Sequence, residues 1–241
     1  ELSRCHHLLW LGEAYVLTGE EKYAWEVANE LNDWIDTNPL MYSVNWTCAM
    51  EVAIRAVNWM YALLFIVDSV HFTDELAEKV YRSLCQHGFF IYNNLERTIP
   101  YSNNHYYSDI VGLLYLGQLF HQTRQGKKWF SFALSQYYTE TLAQILPSGV
   151  DYEKSVSYHR LMTELAIYPY YMLERVGANV PEIVRQRLVH MVQYVKLNAM
   201  PNGKAPMVAD NDDGRFLPFV PRDFREHLYL TDSNSLDNRI V

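Results

Sequence analysis

The chain has 241 residues, a formal net charge of −8, and 49% apolar residues. Such a chain can bury a sizeable core, which excludes a disordered polymer, and its acidity argues against nucleic acid as a partner. No apolar run approaches the ~20 residues of a membrane-spanning helix.

In chain order, Leu8, Leu9, Leu11, Ala14 and Tyr15 form one helical stripe, and Ala24, Val27, Leu31 and Trp34 form the next. Between them lies Leu17-Thr18-Gly19-Glu20-Glu21, a glycine stop followed by acidic residues suited to a helix start. Asp68-Ser69 to Thr73-Asp74, Thr123 to Gly126, and Val176-Gly177 to Pro181-Glu182 are junctions of the same kind. The first helix of each pair ends near Thr18, Ser69, Thr123 and Val176, a period of about fifty residues without strands, which predicts repeated helical hairpins. The expected fold class is all-α, with hairpins over 1–200 and a linker or extension over 201–241.

Longer connections separate the pairs: Asn38–Trp46, Arg97–His105, Leu146–Tyr158 and Ala199–Gly214. In an up-and-down array these loops all fall at the end opposite the short turns, so they are expected to share one rim, where sites usually lie. The chemistry-bearing residues are on them or just inside the next helix. Asn103, Asn104 and His105 exceed what a helix cap requires. Ionisable side chains crowd the stretch from Glu153 through Tyr158, His159 and Arg160, at the start of an otherwise apolar helix, where Ser155 or Ser157 can cap. Asn45 and Trp46 open the helix bearing Glu51 and Arg55. These two are four apart and read as an ion pair, while Arg55 facing inward could meet a substrate carboxylate and Trp46 could stack on a sugar.

Other chemistries find little support. Cys5, Cys48 and Cys85 are odd in number, lack ligand spacing and read as buried thiols. Asp210-Asn211-Asp212-Asp213-Gly214 looks like a calcium loop, but its twelfth position is Pro221 rather than glutamate. Zinc-hydrolase, nucleophile-elbow and phosphate-loop motifs are missing, so neither a metal nor a cofactor is expected. The 19 tyrosines and 6 tryptophans hint at a carbohydrate surface, and acidity overall does not exclude a local site for an acidic substrate.

Asn103-Asn104-His105 followed by Ile110-Val111-Gly112-Leu113-Leu114, and Ser157-Tyr158-His159-Arg160-Leu161 followed by Thr163-Glu164-Leu165, resemble segments of heparinase II/III-type polysaccharide lyases and the related alginate lyases. Asn45-Trp46 with Glu51 and Arg55, and the Asp210–Arg215 turn, match in order. The resemblance implies an incomplete (α/α) toroid followed by a C-terminal β-sandwich, so this chain is expected to be a piece lacking N-terminal helices and that domain. It implies β-elimination at a uronic acid in an acidic glycan, glycosaminoglycan- or alginate-like, by a bacterial protein that is periplasmic or secreted. Asn104 would bond the carboxyl group, Tyr158 would serve as acid and for some epimers as base, and His105 as base or carboxyl neutraliser. Asn45, Trp46, Glu51, Arg55, Tyr101, Glu153, His159 and Arg160 would bind substrate, and Arg160 and His159 would lower the Tyr158 pKa. A further histidine would come from the β-sandwich. The competing readings are a toroid that binds glycan without catalysis and an (α/α)-barrel glycoside hydrolase using Glu153 and Asp210.

Overall fold

The computed structural model describes residues 2–100, 102–211 and 213–231. Tyr101 and Asp212, two of the residues singled out above, lie outside the described residues. Eight α-helices run through the described chain: α1 (His6–Thr18), α2 (Glu21–Thr37), α3 (Ala49–Phe65), α4 (Asp74–Asn93), α5 (Asn104–Leu119), α6 (Arg124–Gln144), α7 (Val156–Arg175) and α8 (Glu182–Asn198). Short 3-10 turns occupy Leu2–Arg4, Val44–Trp46 and Leu228–Thr231. No helix among the described residues is long and apolar enough to cross a membrane.

The hairpin turns follow their expected chemistry. Gly19 closes α1 in the left-handed region at φ 69°, donating its N–H to the Tyr15 carbonyl, and Gly177 lies at φ 71° beyond α7. The Thr73 hydroxyl caps α4 by accepting the Leu76 N–H at 3.2 Å. Cys5 is buried as expected, but Cys48 and Cys85 are only partly so.

The chain divides into two compact units. The first comprises 1–96, 112–131 and 217–220. Its centre is α3, whose run from Val52 to Trp59 is buried on every side, so this helix is core rather than rim. Close approach depends on small residues: a Cβ on Gly112 would lie 2.6 Å from the Ala53 Cβ.

The second unit comprises 97–111, 132–216 and 221–241. Here Glu164 of α7, fully buried, accepts from Arg215 Nε at 2.5 Å, from the Phe216 N–H at 2.7 Å and from the Tyr229 hydroxyl. One turn earlier, Arg160 donates to the carbonyls of Gly214 (Nη2, 2.9 Å) and Phe224. Residues four apart on one helix face thus fasten the last described segment.

Candidate active site

In the first unit, the site residues expected at the Asn45–Arg55 helix start have core partners. Arg55 is fully buried, stacks on Trp34 at 4.3 Å and on Trp46 at 5.2 Å, and donates to His87 Nε2 at 3.0 Å and the Ser3 hydroxyl at 2.8 Å. Burial draws its pKa down to about 10, so it remains charged at neutral pH. Trp46 is only 4% exposed, and its indole N–H donates to the Asn38 carbonyl, leaving no open face for a sugar. Glu51 does not form the expected pair with Arg55. It accepts from Arg4 Nε at 3.0 Å and Nη2 at 2.6 Å. Asn45 donates to Asn38 Oδ1 at 2.7 Å and lines a cavity of about 290 Å³ that also includes Trp34 and Glu30. Trp46, Glu51 and Arg55, each expected to bind substrate, have partners within the chain: Trp46 in the 3-10 turn before α3, Glu51 in the first turn of α3 paired with Arg4, and Arg55 on its buried run.

In the second unit, the start of α5 meets the loop before α7. That loop is a tight reversal: Leu146 N–H reaches the Val150 carbonyl, Ile145 bridges Asp151, and Gly149 turns at φ 86°. Its far side clamps the residues preceding α5. The Tyr152 hydroxyl donates to the Ser102 carbonyl at 2.6 Å, and Glu153 takes hold of Asn104. Glu153 Oε1 accepts from the Asn104 backbone N–H at 3.1 Å and from its side-chain Nδ2 at 3.0 Å, while Oε2 accepts from Nδ2 at 3.3 Å. A carboxylate at a helix N-terminus is favoured by the unpaired N–H groups and the dipole there. Asn104 is 4% exposed, its Oδ1 has no hydrogen-bond partner, and half-buried His105 follows it. The Asn103 side chain does not cap α5, because its Oδ1, the atom a cap would use, is buried without a partner.

The start of α7 carries Tyr158, half-buried in the first turn, where the Ser155 hydroxyl accepts its N–H at 3.2 Å. Ser155 also donates to the Asp210 carbonyl at 2.6 Å, and Ser157 to Asn211 Oδ1 at 3.0 Å. The acidic turn thus braces α7 through a carbonyl and an amide. The Asp210 carboxylate takes no part in these bonds.

His159 points inward. Asp151 donates its N–H to Nδ1 at 3.3 Å, so Nδ1 is an acceptor and the Nε2–H donates to the Met191 carbonyl at 3.2 Å. Burial lowers its pKa to about 4. The ring is neutral and cannot supply the positive charge expected near Tyr158. Arg160 donates to two carbonyls and also lines a cavity with Asp213, Arg215 and Arg222.

Nothing in the sequence sets Asp151 apart. Its carboxyl is fully buried and neither oxygen has a well-formed hydrogen bond. Burial, reinforced by the Glu153 charge, pushes its pKa up to about 7, and the backbone N–H groups of Glu153 and Tyr152 counter this only in part. A cavity of about 440 Å³ opens beside the clamp, lined by Arg97, Ser102, Glu140, Gln144 and Tyr152 among others. Within this unit a fixed amide, a histidine and a phenol stand at the starts of two helices.

The sequence profile of the heparinase II/III N-terminus family matches residues 1–230. The chain belongs to this family. It is similar to the heparin-sulfate lyase of Pedobacter heparinus, 24% identical over 216 residues, which cover 86% of this chain and 32% of that protein. Among solved structures, it is similar to the heparan sulfate lyase HepC from Pedobacter heparinus, with TM-score 0.68, 23% identity and coverage of 88% of this chain and 34% of that one. Another is heparinase III, with TM-score 0.72, 20% identity, and 84% and 31% covered. The chain spans about a third of the length of these relatives. The all-α hairpin architecture agrees with the fold class expected from the motifs, and the Asn104 and Tyr158 segments fall within the matched residues.

Proposed function

We propose that the chain forms the helical wall of a polysaccharide lyase that cleaves a uronate-containing glycosaminoglycan of the heparan sulfate class by β-elimination. The observation that carries this reading is the Glu153-held Asn104 amide at the start of α5, in the same unit as Tyr158 on the first turn of α7. The C5 proton of a uronate is weakly acidic, because abstraction places negative charge next to a carboxylate. An Asn104 N–H bonded to that carboxyl group stabilises the developing anion. Tyr158 delivers a proton to the leaving glycosidic oxygen, and for some C5 epimers also removes the C5 proton; His105 is the other base or a second donor to the carboxyl.

The cavity beside Tyr152 has room for a sugar ring, with Arg97 available to an acidic substituent. The heparan sulfate class is preferred over alginate because the similar curated protein is a heparin-sulfate lyase. A C-terminal β-sandwich supplying a further histidine, and export to the periplasm or medium, belong to the same proposal. The test is Tyr158→Phe in the full-length protein on heparan sulfate, read as ultraviolet absorbance of the new C4–C5 double bond. Turnover should fall by about 100-fold or more with binding retained. Unchanged turnover would overturn the role of Tyr158. Saturated products would point to hydrolysis, and binding without any product to a non-catalytic toroid.

A further inference from the structure

We propose that Glu153 is a positioning residue for Asn104, setting the orientation of the amide that the lyase reading assigns to the substrate carboxyl. The inference rests on that reading, and its geometry is local. Asn104 Nδ2 lies 3.0 and 3.3 Å from the two Glu153 oxygens, and its own Oδ1 is buried with no partner. An amide rotated by half a turn would set Oδ1 against the carboxylate, acceptor against acceptor. Nothing bonded to Oδ1 selects between the two orientations, so Glu153 alone does. The same carboxylate also accepts the Asn104 backbone N–H, which fixes the first residue of α5 at the same point.

The consequence is chemical. A carboxamide offers an anion either a donor or an acceptor, and only the donor edge stabilises a uronate on its way to a carbanion. With Nδ2 turned toward Glu153, one of its hydrogens suffices for the carboxylate, and the proposal gives the second to the substrate carboxyl. Without Glu153, the amide can present its oxygen to the substrate carboxyl, which is repulsive. This role is distinct from binding substrate directly and from paired-carboxylate hydrolysis. A glutamate placed here for its charge would repel a uronate, whereas one placed to accept from Asn104 needs only its carbonyl-type acceptor.

That difference defines the experiment, run on the full-length protein with heparan sulfate oligosaccharide as the probe. Glu153→Gln keeps an acceptor for both Asn104 donors and should retain kcat within about tenfold, whereas Glu153→Ala should lose about 100-fold in kcat with KM little changed. In an Asn104→Ala background, Glu153→Ala should add almost nothing, since two residues acting through one amide are non-additive. Equal losses in the Gln and Ala variants, or a full further loss in the double variant, would overturn the proposal. A structural readout stands apart from turnover: crystal structures of the wild type and Glu153→Ala. Displacement or splitting of the Asn104 side chain in the variant supports the proposal, and an unmoved side chain overturns it. If the wild type makes no unsaturated product from any acidic glycan, the lyase reading fails, and the crystallographic comparison still decides whether Glu153 positions Asn104.

Discussion

Replacing Asp151 with Asn should reverse its effect on stability between acidic and alkaline pH. In the unfolded chain this carboxyl ionises near 3.8, and in the folded protein burial holds the proton to about 7. Across that window the folded state binds more protons than the unfolded one, so stability falls as pH rises and the full penalty is present above pH 7. At about 1.4 kcal/mol per pH unit, the gap corresponds to roughly 4 kcal/mol. Below pH 3.8 both states are protonated and there is no penalty. Asparagine removes the ionisation but brings a second donor into a site where neither existing oxygen has a well-formed partner, at about 1–3 kcal/mol. Asp151→Asn should therefore destabilise the protein at pH 4 and stabilise it at pH 8. The two differences should lie about 4 kcal/mol apart, because the cost of the new amide is common to both. Urea unfolding of both proteins at the two pH values measures this directly, provided the m-values agree. The same difference at both pH values would mean that Asp151 titrates like an exposed carboxylate, and the account of its burial would be wrong.

Two further changes test the packing. Gly112→Ala brings a Cβ within 2.6 Å of the Ala53 Cβ and 2.9 Å of its Cα, and should lower stability by about 1–3 kcal/mol in a thermal melt. Gly19→Ala, with nothing within 4 Å and only its φ of 69° to strain, should cost about 1 kcal/mol, so equal effects would refute the close approach of α3 and α5 at that point. Glu164→Ala strands the Arg215 guanidinium at a buried site and should destabilise by about 3–5 kcal/mol. Limited proteolysis should then cut between 214 and 229 before it cuts elsewhere, and an unchanged pattern would refute the anchoring role of Glu164.

The hairpins were legible because helix periodicity and turn chemistry are local: Gly19, Thr73 and Gly177 do what their residue types do at helix ends. The site was legible only in parts. Asn104 and Glu153 each stand out in the sequence, but their bond joins residues 49 positions apart and depends on the clamp of Tyr152 on Ser102, which no spacing encodes. Asn45 and Trp46 read as rim residues because they end a long loop, and Glu51 and Arg55 follow on the next helix, where an ion pair is the favoured reading. A warning was present: Val52 to Leu64 is apolar apart from Arg55 and Asn58, and an all-round apolar helix is buried whatever its polar residues. Asp151 was missed because an aspartate in a glycine turn reads as solvated, and only the closure of the loop against α8 removes water from it. His190 Nδ1 is 2.8 Å from the Pro147 carbonyl, and a Cβ on Gly149 would sit 2.2 Å from the His190 backbone, which measures how tight that closure is.

These placements change where positive potential for an anionic substrate must come from. In a chain of net charge −8, His159 is neutral, Arg160 is committed to two carbonyls, and Arg55 is enclosed by tryptophans. What the second unit offers is Arg97 at the cavity beside Tyr152, together with the dipoles at the N-terminal ends of α5 and α7, which cannot titrate. Glu153 partly neutralises the first of these ends, which is costly for an anion site unless its bond to Asn104 returns more than the lost potential. Asp151 limits that cost: with a pKa near 7 it is largely uncharged in mildly acidic solution, so Glu153 faces Asn104 without a second full negative charge behind it. As pH rises through 7 that charge appears, and an anionic glycan should bind less tightly in the wild type than in Asp151→Asn. Affinity for heparan sulfate measured at pH 6 and pH 8 tests this, and parallel pH dependences in the two proteins would mean that Asp151 does not act on the site.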